Sequence, residues 1–192
     1  NPLAWLLDHV DLDGRSTIVH ATHSTAADLR RYTALGGNIC VCPITEGNLG
    51  DGLGDGEAML SRPDAVCIGT DSNVRIDALE ELRWLEFVQR LRARRRGVHK
   101  SAGGDVAAQL MASGTEHGAR ALGLPAGRIA AGKLADFAAV DLGHAALADA
   151  TDESLAGMLA FGAGAECVAE VCVGGAWKAV RRGDREARDA RR

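Results

Sequence analysis

Residues 65–77 read AVCIGTDSNVRID, and the fold class turns on how they are parsed. Val66, Cys67 and Ile68 form a short apolar run of the kind found in strands buried on both faces. Gly69 and Thr70 end that run, so Asp71 stands where a strand gives way to a loop. Ser72 and Asn73 keep the following turn polar, and Asp77 opens a long helical pattern with Glu80 placed as its capping-box partner. In parallel α/β folds the loops after strand C-termini carry the chemistry. A carboxylate at such a point can ligate a metal or take a proton. An Asp that caps a turn beside Ser72 and Asn73 uses the same residues, and the stretch alone leaves both readings open.

The same strand, loop and helix recur upstream. Thr17, Ile18 and Val19 read as a strand that runs into His20-Ala21-Thr22-His23. Thr25 as N-cap and Asp28 in the first turn predict a helix to about Leu35, stopped by Gly36-Gly37. Residues 38–42 form a second strand closed by Pro43. The Gly-rich stretch after it, ITEGNLGDGLGDG, is expected to be a flexible loop walling a site, and residues 57–62 a short helix. Three such units in succession predict a parallel sheet.

Downstream, Leu79, Leu82, Leu85, Val88 and Leu91 give the helix after Asp77 an apolar face. Glu80, Glu81, Glu86, Arg90 and Arg92 are expected to cover its solvated remainder. The run RARRR at 92–96 reads as the dipole-complementing end of that helix rather than a nucleic-acid patch. Residues 105–122 predict one further helix. From Gly123 the pattern changes to turns and short strands, with a strand at 137–142, a helix within 152–161, and a hairpin of 167–173 and 177–180 about Gly174-Gly175. A charged tail follows from Arg181, expected to be frayed. The domain boundary is therefore placed near Gly123, with α/β structure in 1–122 and mostly β structure in 123–192.

The bulk properties narrow the function classes. The chain has 192 residues, enough for one domain and a small second one. A net charge of −4 argues against a nucleic-acid partner, and no apolar run has the length of a membrane span. The opening NPLAWLLDHVDLDG has no basic region or cleavage site, and it lacks a starting Met, so a piece of something longer is expected. The five cysteines are odd in number and sit in or beside apolar runs, which fits reduced core residues of a cytoplasmic protein. Cys40-x-Cys42 has no second Cys pair and is assigned no metal.

Three candidate site segments fall at strand ends: His20 and His23, the stretch 43–56, and Asp71. A barrel or an open α/β sheet brings them to one face. One lone His is more often structural, but a His and an Asp at equivalent positions of nearby strands are harder to dismiss. His can hold a proton or orient a water, and Asp can be both ligand and base. The Gly-rich stretch fits no phosphate or calcium motif: it lacks the third Gly of GxGxxG and a Walker lysine, and Leu53 stands where an EF-hand needs an oxygen. His9, His99, His117 and His144 have no partner in sequence and read as structural or exposed.

Taken together, VHATHST at 19–25, CPITEGNLGDG at 42–52, IGTDSNVRID at 68–77 and LEELRWLE at 79–86 resemble the deaminase branch of the amidohydrolase superfamily. TEGNLGDG, TDSNVR and EELRWLE look more narrowly like formimidoylglutamate deiminases, enzymes of histidine breakdown. GRIAAGKLADFAAVDL and VAEVCVGGAWKAV resemble the small β domain that follows the barrel in this superfamily. The resemblance implies the C-terminal portion of a (β/α)8, TIM-like metal-dependent hydrolase: strands six to eight within 1–122, then part of a small β-sandwich and the charged tail in 123–192.

It also implies site roles. His20 matches the sixth-strand His beside the attacking water, and Asp71 the eighth-strand Asp that ligates a divalent metal, zinc in this family, and takes a proton. His23 falls one step past the matching position and receives no role. The family's His-x-His pair, fifth-strand metal His and shuttling Glu have no counterpart before His20, so this chain by itself is expected to be inactive. The implied reaction hydrolyses N-formimidoyl-L-glutamate, a small-molecule substrate, to N-formyl-L-glutamate and ammonia, with the chain joined to a missing N-terminal half or forming a homo-oligomer. A sister deaminase of an aromatic base or nucleoside, and a non-catalytic remnant, stay open. The 4% aromatic content favours the first reading over stacking of an aromatic base.

Overall fold

The computed structural model describes residues 1–179, so Val180 of the expected hairpin and the tail from Arg181 lie outside the described residues. The first half builds as strand and helix in alternation. Helix α1 spans Pro2–His9, with Pro2 in its first turn and the Asn1 side chain accepting from the Leu3 and Ala4 N–H groups. Strand β1 is Thr17–Val19 and helix α2 is Ala26–Ala34. The Thr25 hydroxyl caps α2 by accepting from Asp28 N–H, as the Thr and Asp spacing predicts.

Two glycines make the stop after α2 for different reasons. Gly36 takes the left-handed conformation (φ 91°) that ends the helix. Gly37 lets the chain pass the ring of the fully buried Tyr32, where an added Cβ would lie 2.2 Å from a ring carbon. Strand β2, Asn38–Val41, follows at once.

The stretch expected to be a flexible loop is in large part helical. Pro43–Leu49 forms helix α3, with Pro43 preset for the first turn and the left-handed Gly50 (φ 71°) closing it. Its glycines conceal a helix whose start and stop signals are both present. Only residues 50–55 are loop, before helix α4, Gly56–Met59. Strand β3 is Val66–Ile68, and helix α5 is Ala78–Ala93, capped by Asp77 through the Leu79 and Glu80 N–H groups. The Glu80 carboxylate lies on Arg75 at 2.7 Å instead of closing a capping box.

The helix expected over 105–122 is two: α6, Val106–Gly114, and α7, Glu116–Ala121. They break at Thr115 (φ −127°, ψ −85°), whose hydroxyl bonds back to the Met111 carbonyl. Gly114 also lets α6 approach α5, since an added Cβ would sit 3.3 Å from Leu82.

Strands β1, β2 and β3 form a parallel sheet in that order, with Ile18 opposite Ile39 and Ile39 opposite Val66. That face joins the core with Leu29, Tyr32, Met59, Leu82, Leu85 and Leu110. By alternation, Val19, Cys40 and Cys67 share the other face, and Val19 there is half exposed. Helix α8, Leu155–Phe161, packs against α5 and α6 although it follows Gly123. Strands β4, Phe137–Val140, β5, Val168–Val173, and β6, Ala176–Ala179, form an antiparallel sheet. The β5–β6 turn has positive φ at both Gly174 and Gly175, as a two-residue hairpin demands. No helix among the described residues is long and apolar enough to cross a membrane.

Helix α5 departs from its expected faces. Leu82, Leu85 and Val88 are buried, but Leu91 is 80% exposed, while Glu81 and Glu86 are fully buried. Glu86 accepts from the N–H groups of Gly97, Val98 and His99 and from Arg90 Nε, and so pins the chain that leaves the helix. The basic end of α5 does more than complement its dipole. Arg92 donates to the Leu53 and Gly54 carbonyls and pairs with Asp55, and Arg95 pairs with Glu57, which tethers the loop before α4.

Candidate active site

The ends of β1 and β3 turn toward one another. His20 N–H still pairs with the Cys40 carbonyl at 2.8 Å, and Gly69 N–H with that of Val41 at 3.0 Å. Beyond those bonds the backbone enters the left-handed region, at His20 (φ 66°), Ala21 (φ 55°) and Asp71 (φ 47°). Residues with a Cβ seldom adopt it, and such strain gathers at functional sites. Three of the five described cases lie at these two strand ends. The turns set His20 Nε2 3.9 Å from Asp71 Oδ2, with both side chains about one-third exposed (35% and 36%). That gap is too long for a direct hydrogen bond and leaves one oxygen room to touch both atoms. His23, one turn later, is exposed and makes no ion pair among the described residues.

Behind His20 lies a residue that the sequence reading left without a role. Glu46, on α3 and with a side chain only 3% exposed, places Oε1 3.2 Å from His20 Nδ1. The same oxygen accepts the Cys42 N–H at 2.9 Å. Burial pushes the Glu46 carboxyl up from its ordinary value, and the bonds from Cys42 N–H and His20 oppose that rise. Helix α3 is held on two more sides: Ile44 N–H donates to Glu81 Oε2 at 3.1 Å, and the Thr45 hydroxyl donates to the Thr70 carbonyl beside Asp71. Glu81 is pushed up to about 7 by burial, with only the Ile44 N–H easing it and the charges of Glu46, Glu80 and Asp77 adding to it. The signal for Glu46 was Pro43 three residues ahead of it, which marks a helix start with an acid in its first turn.

Thiols lie beneath the pair. Cys40 and Cys42 share hydrogen bonds, and Gly69 leaves room for both sulfurs, since an added Cβ would meet them at 3.0 and 3.3 Å. The bond to Cys42 favours the Cys40 thiolate, but the bond to Cys67 and burial outweigh it and push Cys40 up to about 12. Cys42 is raised too, by its bond to Cys40 and by burial. All five cysteines are free thiols. The other histidines have local partners. His9 stacks on Trp5, His99 is buried against Glu86, His117 Nδ1 meets the Val66 carbonyl, and His144 accepts from Ala146 N–H.

Among the described residues no group of three His, Cys, Asp or Glu side chains is placed to hold a metal ion. Asp71 offers one accessible carboxylate, a hard oxygen donor at a strand end, which fits one ligand of a tetrahedral zinc site and no more.

The chain is similar to known proteins in sequence and in fold. Residues 3–178 match the model of the amidohydrolase family. The chain is 37% identical over 177 residues, 92% of its length and 39% of the relative's, to formimidoylglutamate deiminase of Pseudomonas aeruginosa. An amidohydrolase structure from Brucella melitensis superposes with a TM-score of 0.82 at 32% identity, over 99% of this chain and 42% of that one. An adenosine deaminase from Xanthomonas campestris with bound zinc superposes with a TM-score of 0.80 at 27% identity, over 100% of this chain and 44% of that one. The chain thus spans about two fifths of the length of these proteins.

Proposed function

The chain belongs to the amidohydrolase family, and from that premise we propose that it supplies the catalytic His and Asp of a metal-dependent deiminase that hydrolyses N-formimidoyl-L-glutamate to N-formyl-L-glutamate and ammonia. In this reading β1, β2 and β3 are strands six to eight of a (β/α)8 barrel, and β4, β5 and β6 contribute to a small β domain. The observation that carries it is the pairing of His20 Nε2 with Asp71 Oδ2 across 3.9 Å, on two left-handed residues at the ends of β1 and β3, the strands on either side of β2.

Asp71 would hold one corner of a divalent metal, which when bound makes a water acidic near neutrality and polarises the substrate. Asp71 Oδ2 takes the proton of the attacking water as its oxygen bonds to the formimidoyl carbon. His20 Nε2, on the other side of the same gap, orients that oxygen by accepting a hydrogen bond from the hydrogen it keeps. The imino nitrogen takes the proton held on Asp71; collapse of the intermediate then re-forms a carbonyl, the remaining hydroxyl proton goes to the same nitrogen, and the C–N bond breaks to release ammonia.

The 37% identity over 92% of the chain favours the formimidoyl substrate. Likeness to an adenosine deaminase supports a second reading, deamination of a nucleoside. Ammonia release from an active, metal-loaded enzyme containing this chain separates the two. N-formimidoyl-L-glutamate is expected to exceed adenosine in kcat/KM by roughly a hundredfold or more, the scale on which differently built sites discriminate. The opposite preference would replace the deiminase with the nucleoside enzyme.

A further inference from the structure

The stretch TEGNLGDG contains a carboxylate with no role in the reaction as written. Glu46 sits behind His20, on the side away from Asp71, with its side chain almost wholly buried (3% exposed). Its Oε1 accepts the Cys42 N–H at 2.9 Å, and a backbone N–H is a donor in every state of the protein. The same oxygen is 3.2 Å from His20 Nδ1. With Glu46 as a carboxylate, which only accepts, the partner at this distance is an Nδ1 that carries the hydrogen. Glu46 cannot easily swing away. Its helix is fastened by Ile44 N–H to the buried Glu81 and by the Thr45 hydroxyl to the Thr70 carbonyl.

We infer that Glu46 is a positioning residue for His20: it fixes the Nδ1–H tautomer and the ring plane, so that the nitrogen facing Asp71 is always Nε2 with its lone pair available. This rests on the catalytic reading of His20 given above. Without Glu46 a neutral imidazole favours the other tautomer, and the ring would present an N–H where an acceptor is needed. The ring also sits on a left-handed residue, where the backbone alone holds it under strain. With Glu46 in place, a proton arriving at Nε2 produces an imidazolium whose charge is matched by a carboxylate already in contact with it. The partner of a catalytic imidazole sets which nitrogen reacts, the same logic that orients metal-bound histidines.

The test uses Glu46→Gln, which keeps the shape and an acceptor for Cys42 N–H, and Glu46→Ala, which removes both. In an active enzyme containing this chain, Glu46→Gln is expected to lower kcat roughly tenfold to a hundredfold. KM for N-formimidoyl-L-glutamate should stay within about threefold, because the substrate does not touch Glu46. Metal content should be unchanged. Nitrogen-15 NMR of the histidine rings in alkaline buffer reads the tautomer directly and needs no substrate. His20 is expected as Nδ1–H in the parent protein and shifted toward Nε2–H in Glu46→Ala. A parent His20 already in the Nε2–H form, or a Glu46→Gln enzyme with unchanged kcat, would overturn the inference. Should the tautomer respond as described while N-formimidoyl-L-glutamate is not turned over, Glu46 keeps its role and the substrate assignment is what fails.

Discussion

Glu81 and Glu86 lie five residues apart on α5, both fully buried, and they are expected to act on stability in opposite directions. For Glu86, burial alone would raise the carboxyl, but the His99 ring 3.4 Å away, the Arg90 hydrogen bond and the His99 N–H outweigh it and hold it down at about 2. Its ordinary value is 4.5, so at about 1.4 kcal/mol per pH unit the folded protein gains about 3 kcal/mol from this group. The sign follows from the depressed value. The stabilisation is fully present above about pH 4.5 and is lost as pH falls toward 2. Glu86→Gln keeps the volume but loses the charge and one of two acceptor oxygens, so that either the Gly97 and Val98 N–H groups or that of His99 face an amide donor. At neutral pH it should destabilise by about 3 kcal/mol, and amide exchange at residues 97–99 should accelerate by roughly two orders of magnitude.

Glu81 runs the other way. It is raised from 4.5 to about 7, so its ionisation subtracts stability as pH climbs through that window and the full penalty applies above 7. Glu81→Gln removes the charge and retains an acceptor for Ile44 N–H, so it should stabilise above pH 7 by up to about 3 kcal/mol and by nothing below 4.5. Unfolding followed from acid to mildly alkaline pH, with amide exchange by mass spectrometry, measures both variants. If Glu86→Gln were neutral at pH 7, or if the two substitutions shifted stability in the same direction there, the buried-carboxylate reasoning would be wrong.

Other substitutions probe the site and its scaffold. His20→Ala should lower kcat by at least roughly two orders of magnitude while most of the metal stays bound, and His23→Ala should matter less; a larger loss for His23→Ala would show that the strand has been read in the wrong register. Gly37→Ala would drive a Cβ into the Tyr32 ring and should destabilise by about 1–3 kcal/mol, visible as a lower unfolding midpoint. An unchanged midpoint would mean that Tyr32 can move aside.

Much of this fold was legible because the decisive signals are local. Thr25 and Asp28 mark the start of α2, and Asp77 caps α5. Gly174-Gly175 makes the hairpin, and the apolar runs at 17–19, 38–41 and 66–68 are the three parallel strands. Asp71 stood out because an acid directly after a strand needs a reason. What stayed hidden depends on distant partners. Glu81 and Glu86 read as solvated charges on a helix, since their acceptor roles serve Ile44 and residues 97–99, well outside any helical period. Helix α3 was masked by the glycines between Pro43 and Gly50, although Pro at the first position and Gly after the last are ordinary boundary signals. Glu46 was missed for the same reason: without a helix there, nothing aims its side chain back at His20.

The central claim is that Asp71 and His20 face one reacting oxygen. It is tested most directly by Asp71→Asn in a metal-loaded enzyme containing this chain, with ammonia release from N-formimidoyl-L-glutamate followed under saturating substrate. Asn keeps the shape of the side chain and removes its charge and its basicity. The account predicts that kcat falls by at least roughly two orders of magnitude, the usual contribution of a general base. Turnover close to that of the parent, with the metal retained, would contradict it.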